Sequence, residues 1–387
     1  MRLAWTAVVR RFGLAEWAGL LLRLGIAVVL VEVGTRGLLA LKDYIERDLP
    51  DCYDYVTVRC RTPEYMAELE DVIQFDLLIG AGHAPNYRGR WMTTNAQGFR
   101  GMTDYGAKTP GVLRVVVVGG SAAWGTFVHD DETMPAYLQT ALAEGLNRPV
   151  EVINAAVTSA TSFQELVRLE ADVMPLKPDV VIAFGGRNDV YYGNSPLWSA
   201  TRTPAVRGYE AFVRRSAEAD PEALWDLTLR AGLRYSVFLR TVDAISRGWS
   251  IRRQAGLPLE MNPESVTAYQ RNLRWMAAVL KAEGIVPVFV LQPILQHGAK
   301  TLAIEEEMIL DRAGPAQNGV ESLYPQARAA MAALGESDPA ILALDYTDLF
   351  VGMHEQLYFD PVHYFAEGNR LIARQLAADM AHDLDTE

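Results

Sequence analysis

Five short runs rich in β-branched residues alternate with helix-like segments, and this alternation restricts the fold more than any other feature of the chain. The runs lie at residues 112–120, 150–156, 179–186, 286–293 and 341–347. The helix-like segments between them include residues 134–146, 162–174 and 268–284. Continuous apolar runs separated by helices are typical of parallel strands that are buried on both faces. The sequence therefore predicts an α/β fold in which helices cover both faces of a five-stranded parallel sheet.

The interval between the third and fourth runs is too long for a single crossover connection. Residues 190–267 are therefore expected to contain an insertion, which we expect to be helical. Within it, residues 202–253 hold ten Arg and no Lys, and acidic residues offset much of this charge. Exposed, solvated helices are a simpler interpretation of this pattern than a lid or a partner surface.

An apolar stretch near the N-terminus, residues 17–31, is interrupted only by Arg23 and is preceded by basic residues. This pattern resembles a signal anchor whose N-terminal flank stays in the cytoplasm. Two other interpretations remain: an amphipathic helix lying in the membrane interface, or a buried helix of a soluble protein. In a spanning helix Arg23 would be costly, so it would mark contact with another membrane protein.

The charge of the chain is distributed unevenly. The formal net charge is −12, and residues 1–50 carry +2, which leaves −14 on the remainder. An acidic body argues against nucleic acid as a partner. The two cysteines, Cys52 and Cys60, are too few for a four-cysteine metal site, and they form either a disulfide or two unrelated thiols.

Polar residues follow the first and third runs, where ligands bind in open parallel sheets. Ser121 follows two glycines, and as the first residue of a helix it would have its backbone N–H free to bind an anion. Ala123 excludes the G-x-S-x-G nucleophile elbow. Asn188 follows the third run and offers an amide to an oxyanion. Near the C-terminus, Asp360 and His363 are three residues apart, a spacing that lets the carboxylate set the imidazole tautomer.

Together, the Gly-Gly-Ser, Gly-x-Asn-Asp and Asp-x-x-His blocks resemble the SGNH (GDSL-like) hydrolase superfamily from about residue 93 onward. The resemblance implies that Ser121 is the nucleophile, His363 the general base and Asp360 its orienting carboxylate. It also implies an oxyanion hole built from the backbone N–H of Ser121, the side chain of Asn188 and the backbone N–H of Ser159. Ser159 stands where the family usually has Gly, so a conformation with positive φ would strain it.

A second departure is Gly120, which stands where the family typically has Asp. This substitution, and the upstream Asn-x-x-Gly-Phe-Arg-Gly segment at residues 95–101, look like those of membrane-anchored bacterial members. Arg100 in that segment and Arg187 are candidates for binding an anionic substrate, although exposed or structural roles are more common for such residues.

The resemblance implies a flavodoxin-like, three-layer hydrolase domain at residues 111–387, with the helical insertion at about 190–267. Residues 1–45 are then the cytoplasmic flank and membrane-anchor helix, and residues 46–110 are a connecting segment and N-terminal extension. The implied activity is that of an extracytoplasmic serine esterase that acts on a small-molecule or glycan ester and needs no cofactor. Two alternatives stay open: an O-acyltransferase that acetylates a glycan, and an accessory, non-catalytic subunit of a membrane complex.

Overall fold

The computed structural model describes residues 14–46, 63–76, 78–193, 198–201, 262–312 and 315–384, together with Ser236 and Phe238. Cys52, Cys60 and most of the expected insertion lie outside the described residues.

The described helices and strands alternate along most of the chain. The helices are α1 (Leu14–Glu46), α2 (Pro63–Val72), α3 (Ser121–Trp124), α4 (Met134–Leu146), α5 (Ser162–Arg168), α6 (Arg187–Tyr192), α7 (Glu264–Ala282), α8 (Ile304–Arg312), α9 (Pro315–Ser337) and α10 (Ala366–Leu384). The strands are β1 (Ile73–Gln74), β2 (Gly82–His83), β3 (Leu113–Gly119), β4 (Val150–Asn154), β5 (Val180–Gly185), β6 (Val286–Leu291) and β7 (Leu342–Asp345).

Five of these strands form one parallel sheet in the order β4-β3-β5-β6-β7, and β1 pairs with β2 as a separate antiparallel ribbon. Numbered from β3, the order is 2-1-3-4-5, which is the flavodoxin-like arrangement. The expected α/β fold with a five-stranded parallel sheet is therefore confirmed. All five expected strands are present, each shorter than its apolar run because the terminal residues belong to the connecting turns.

One expected helix is broken. The pattern predicts a helix over residues 162–174, but α5 ends at Arg168 and is followed by a π-helical turn, Leu169–Val173, and a 3-10 turn, Met174–Leu176. Pro175 has no backbone N–H with which to continue an α-helix. The spacing of apolar residues alone does not predict where the α-helix changes to a π-helical turn.

The central strand β3 separates two hydrophobic cores. All seven of its residues are buried, and because side chains alternate along a strand, successive valines face opposite layers. Val115 and Val117 pack in the core that includes α4 and α10, whereas Val116 and Val118 pack in the core that includes α7 and α9. Burial on both faces accounts for the uninterrupted apolar run in the sequence.

The chain divides into two compact units, one of residues 1–52 and 212–257 and the other of residues 53–211 and 258–387. In the first unit, Glu32 of α1 pairs with Arg36 at 2.8 Å and accepts a hydrogen bond of 2.8 Å from Ser236 Oγ. Within the described part of the chain, no helix combines the length and the apolarity needed to cross a bilayer. The anchor, the contact at Arg23 and the domain boundaries inferred from the sequence stay predictions.

Candidate active site

The expected polar residues lie at the carboxyl ends of adjacent strands. β3 and β5 are paired along their length, with Gly119 opposite Phe184. Ser121 begins α3 directly after β3, and Asn188 lies in the first turn of α6 directly after β5. This position is the point at which the strand order reverses, where open α/β sheets form a crevice for ligands.

Ser121, His363 and Asp360 form a continuous chain of hydrogen bonds. His363 Nε2 lies 2.7 Å from Ser121 Oγ, and His363 Nδ1 lies 2.6 Å from Asp360 Oδ2. An ionised carboxylate only accepts hydrogen bonds, so the proton of neutral His363 is on Nδ1 and Nε2 is left to accept from the serine hydroxyl. The structure thus brings together three residues that span 242 positions of the sequence.

Asp360 is held in its ionised form. Burial by itself would raise the pKa of this carboxyl, but His363 and the backbone N–H groups of Val362 and His363 outweigh burial, and the net pKa is lowered. Those two N–H groups donate to Oδ1 at 2.8 and 2.9 Å, which leaves Oδ2 for the imidazole. The carboxylate is therefore fixed by its own loop before it orients the histidine.

Asn188 lies against the residue that precedes the serine. Its Nδ2 donates one hydrogen bond to Ala160 O at 2.8 Å, and the second amide hydrogen remains for another acceptor. A Cβ atom at Gly120 would come within 2.6 Å of Asn188 Nδ2, so a larger residue there would require the Asn188 amide to shift. Glycine at position 120, where the family resemblance leads one to expect Asp, leaves room for the Asn188 amide in this position.

The backbone groups expected to complete an oxyanion hole lie in the same region. Ser121 is the first residue of its helix, so its N–H has no intrahelical acceptor. Ser159 is exposed and has a φ of +66°, the left-handed conformation that was expected to strain a non-glycine residue. That conformation costs about 1 to 2 kcal/mol for a residue with a Cβ atom. The role of the Ser159 N–H as a third donor stays a prediction.

The loop that carries His363 is held by a buried glutamate that no sequence motif singles out. Glu306, at the start of α8, is fully buried, and its Oε1 accepts the N–H groups of Leu357 and Tyr358 at 2.9 and 3.1 Å. Its Oε2 pairs with Lys300 Nζ at 2.6 Å. Because a buried carboxylate is stable only when paired and hydrogen-bonded, this arrangement stabilises one conformation of the loop.

A buried polar network lies behind Asn188. Asp189 accepts a 2.6 Å hydrogen bond from Ser162 Oγ, and Asn272 Nδ2 donates to the same hydroxyl at 2.9 Å. Burial raises the pKa of Asp189 to about 6. Burial also raises the pKa of neighbouring Glu165, with the charge of Asp189 as a further cause. Both shifts have the same sign because burial disfavours the charged form of each carboxyl.

The two arginines considered for an anionic substrate are both buried. Arg187 packs its guanidinium on the ring of Tyr191 at 4.0 Å, and burial lowers its pKa. Arg100 is directed at backbone carbonyls and at Asp130. Arg100 therefore has a structural role. Within the described ranges, no three His, Cys, Asp or Glu side chains gather in a way that would hold a metal ion.

Comparison with known proteins gives a family match. Residues 117–371 match the model of the GDSL-like lipase/acylhydrolase family. No curated protein matches the chain significantly.

The chain is also similar to solved structures, among them the following three. One is an acetyl xylan esterase, with 15% identity and a TM-score of 0.40, for which the alignment covers 68% of this chain and 98% of the esterase. The second is a GDSL-like lipase from Bacteroides thetaiotaomicron, with 15% identity, a TM-score of 0.35 and coverage of 70% and 89%. The third is a two-domain esterase active on acetylated mannans, with 12% identity, a TM-score of 0.39 and coverage of 71% and 50%.

Proposed function

Because the chain belongs to the GDSL-like lipase/acylhydrolase family, we propose that it is a serine esterase in which Ser121, His363 and Asp360 form the catalytic triad. The observation that carries the proposal is the pair of short contacts through the imidazole, 2.7 Å to Ser121 Oγ and 2.6 Å to Asp360 Oδ2. A nucleophile in contact with a base, and a base in contact with its orienting group, is the arrangement that nucleophilic catalysis requires.

The proposed reaction proceeds through an acyl-enzyme. His363 Nε2 takes the hydroxyl proton of Ser121 as Oγ attacks the ester carbonyl, and the protonated imidazole then gives that proton to the departing alcohol. Water attacks the acyl-enzyme in the second half of the reaction, with His363 again acting first as base and then as acid. Asp360 stabilises the imidazolium in both halves and remains ionised.

Asn188 and the N–H of Ser121 are proposed to bind the negatively charged oxygen of the tetrahedral intermediates, with the Ser159 N–H as a third donor. Support comes from the free second hydrogen of the Asn188 amide and from its contact with Gly120, next to the nucleophile. Donors that are already in place strengthen their hydrogen bonds as the charge develops, at no cost of reorganisation.

The proposal is tested by labelling with a fluorophosphonate probe and by turnover of p-nitrophenyl esters of different chain length. Labelling and turnover are expected in the wild type and absent in Ser121→Ala and His363→Ala. His354→Ala is the matched control, because this histidine is exposed on a nearby loop and should retain full activity. Failure of the folded wild type to react with probe and esters would contradict the proposal and favour a non-catalytic role.

A glycan O-acyltransferase would use the same acyl-enzyme, so product analysis separates it from an esterase. With a short-chain ester donor and an added oligosaccharide, an esterase releases free acid at an unchanged rate. Acylated oligosaccharide appearing at the expense of free acid would instead identify the sugar hydroxyl as the acceptor.

We also propose that the hydrolase acts outside the cytoplasm and is tethered through α1. Support comes from the basic residues that precede the apolar stretch and from the large apolar side chains that α1 exposes, among them Leu22, Ile26 and Leu30. Separating cell fractions and testing protease access to intact cells checks the location. Full-length protein recovered entirely in the soluble cytoplasmic fraction would contradict it.

A further inference from the structure

The Asn-x-x-Gly-Phe-Arg-Gly segment at residues 95–101 forms a tight turn that presents one arginine. Asn95 Oδ1 accepts the backbone N–H groups of Gln97 and Phe99, each at 2.9 Å. Gly98 has a φ of +73°, and a Cβ atom there would meet His83 O at 2.7 Å, so the turn needs glycine at this position. Arg100 follows, and its backbone N–H bonds to Asn154 O at 3.1 Å, beside β4.

The guanidinium of Arg100 uses every nitrogen to hold the chain that follows the catalytic serine. Its side chain is 1% exposed. Nε donates to Asp130 Oδ1 at 2.8 Å. The carbonyl acceptors are Trp124 at 3.0 Å, Gly125 at 2.7 Å, Val128 at 2.6 Å and Trp91 at 3.3 Å. Residues 124–128 are thus fixed from one side by a single planar group.

Phe127 lies between the two carbonyls that Arg100 binds most closely. It has a φ of +73°, which is rare for an aromatic residue. Its ring contacts His363 edge-on, with centroids 5.5 Å apart and planes at 85°, and it stacks on Phe359 at 4.2 Å. A strained backbone persists only where the surrounding structure holds it. Arg100 donates to the carbonyls of Gly125 and Val128 on either side of Phe127, and Ser121 O accepts the N–H of Thr126.

We propose that Arg100 is a positioning residue: it fixes residues 124–128 so that α3 holds Ser121 in place and Phe127 holds the ring of His363 in line with it. Five donors in one plane fit carbonyls that diverge around the guanidinium, whereas a lysine ammonium has three donors from a single point. The inference rests on the proposed triad, and it assigns a role to the sequence segment for which composition and spacing gave none.

The test compares Arg100→Lys with Arg114→Lys. Arg114 is a matched control because its side chain is 3% exposed and it also binds carbonyls, those of Gly106 and Leu176, together with Glu151. It lies at the amino end of β3, away from the triad. Both variants are expected to lose a similar amount of thermal stability.

Only Arg100→Lys is expected to lower kcat, by about 10- to 100-fold, with KM changed less than about three-fold, because small displacements of reacting groups cost rates of this size. Phe127→Leu should lower kcat in the same way, and Arg100→Lys/Phe127→Leu should be no slower than the slower single variant. Equal effects of Arg100→Lys and Arg114→Lys on kcat, or fully additive effects in the double variant, would overturn the inference.

If Arg100→Lys does not fold, Phe127→Leu decides the question by itself, because its kcat must fall with KM nearly unchanged. Wild-type activity abolished in Ser121→Ala establishes the proposed function independently of these variants. Failure of the positioning role and failure of the esterase proposal therefore give different results.

Discussion

Replacing Gly120 with alanine is expected to remove most of the activity while leaving the fold intact. Gly120 has a φ of −87° and a ψ of −158°, which any residue adopts, so alanine introduces no backbone strain. The added Cβ atom would lie 2.6 Å from Asn188 Nδ2, whereas ordinary contacts begin at 3.4 Å. The amide must therefore move by about 0.8 Å or rotate away from Ala160 O, and a shift of this size at a reacting centre costs about 100-fold in rate.

Loss of one oxyanion donor lowers kcat by about 100- to 1000-fold, which corresponds to about 3 to 4 kcal/mol. We therefore expect Gly120→Ala to reduce kcat by two to three orders of magnitude in p-nitrophenyl ester hydrolysis, with a nearly unchanged melting temperature. Gly145→Ala is the matched control: it lies in α4 with nothing within 4 Å of the added Cβ, so it should keep full activity. It should also gain about 0.5 to 1 kcal/mol of stability.

The double variant Gly120→Ala/Asn188→Ala shows whether the two residues act together. If Gly120→Ala works by displacing the amide, adding it to Asn188→Ala should cost almost nothing more. Wild-type kcat in Gly120→Ala, or penalties that multiply in the double variant, would refute the contact as the cause.

Three further predictions concern single residues near the site. Ser159→Gly should keep kcat within about two-fold and gain up to about 1 kcal/mol of stability in denaturant titration, because glycine adopts the left-handed backbone without strain. A ten-fold loss of kcat would contradict this prediction and show that the serine side chain matters. Burial raises the pKa of Asp189 to about 6. Between about pH 4 and pH 6 the native state therefore keeps a proton on Asp189 that the unfolded state has lost. The free energy of unfolding should fall by about 3 kcal/mol over this range as the pH rises. Asp189→Asn should make that part of the pH profile less steep, with the buried Glu165 supplying the slope that remains. An unchanged slope would contradict the assignment. His363 and backbone N–H groups lower the pKa of Asp360 against the effect of burial. The stability that the ionised carboxylate adds is therefore present at neutral pH and lost as the pH falls below about 4. The stability difference between wild type and Asp360→Asn should shrink in that range, and a constant difference would contradict this prediction.

Prediction from the sequence succeeds where the physical signal is local. The strands are recognisable because burial on both faces leaves uninterrupted apolar runs, as in β3 and β5. The positions of Ser121 and Asn188 followed from these strands, since side chains after the carboxyl ends of parallel neighbours must lie near one another. The Asp360–His363 contact followed from a spacing of three residues.

Features that depend on distant partners were not accessible in this way. Glu306 holds the His363 loop through two N–H groups more than 50 positions away, and nothing in its own surroundings indicates that. From the sequence alone Arg100 is a candidate for substrate binding, because the sequence does not show which partners an arginine side chain has. Its role depends on carbonyls of residues 124–128, whose orientation only the folded chain defines.

The separation of 242 residues between Ser121 and His363 also has a consequence during synthesis. At about 5 to 20 residues per second, the ribosome makes the proposed nucleophile roughly 10 to 50 seconds before the proposed base. Throughout that interval the proposed triad is incomplete, and Ser121 is an ordinary alcohol. Under the proposed mechanism, ester hydrolysis begins only after β7, the loop that carries His363 and α10 have folded against the rest of the sheet. Ester turnover would then report completed folding.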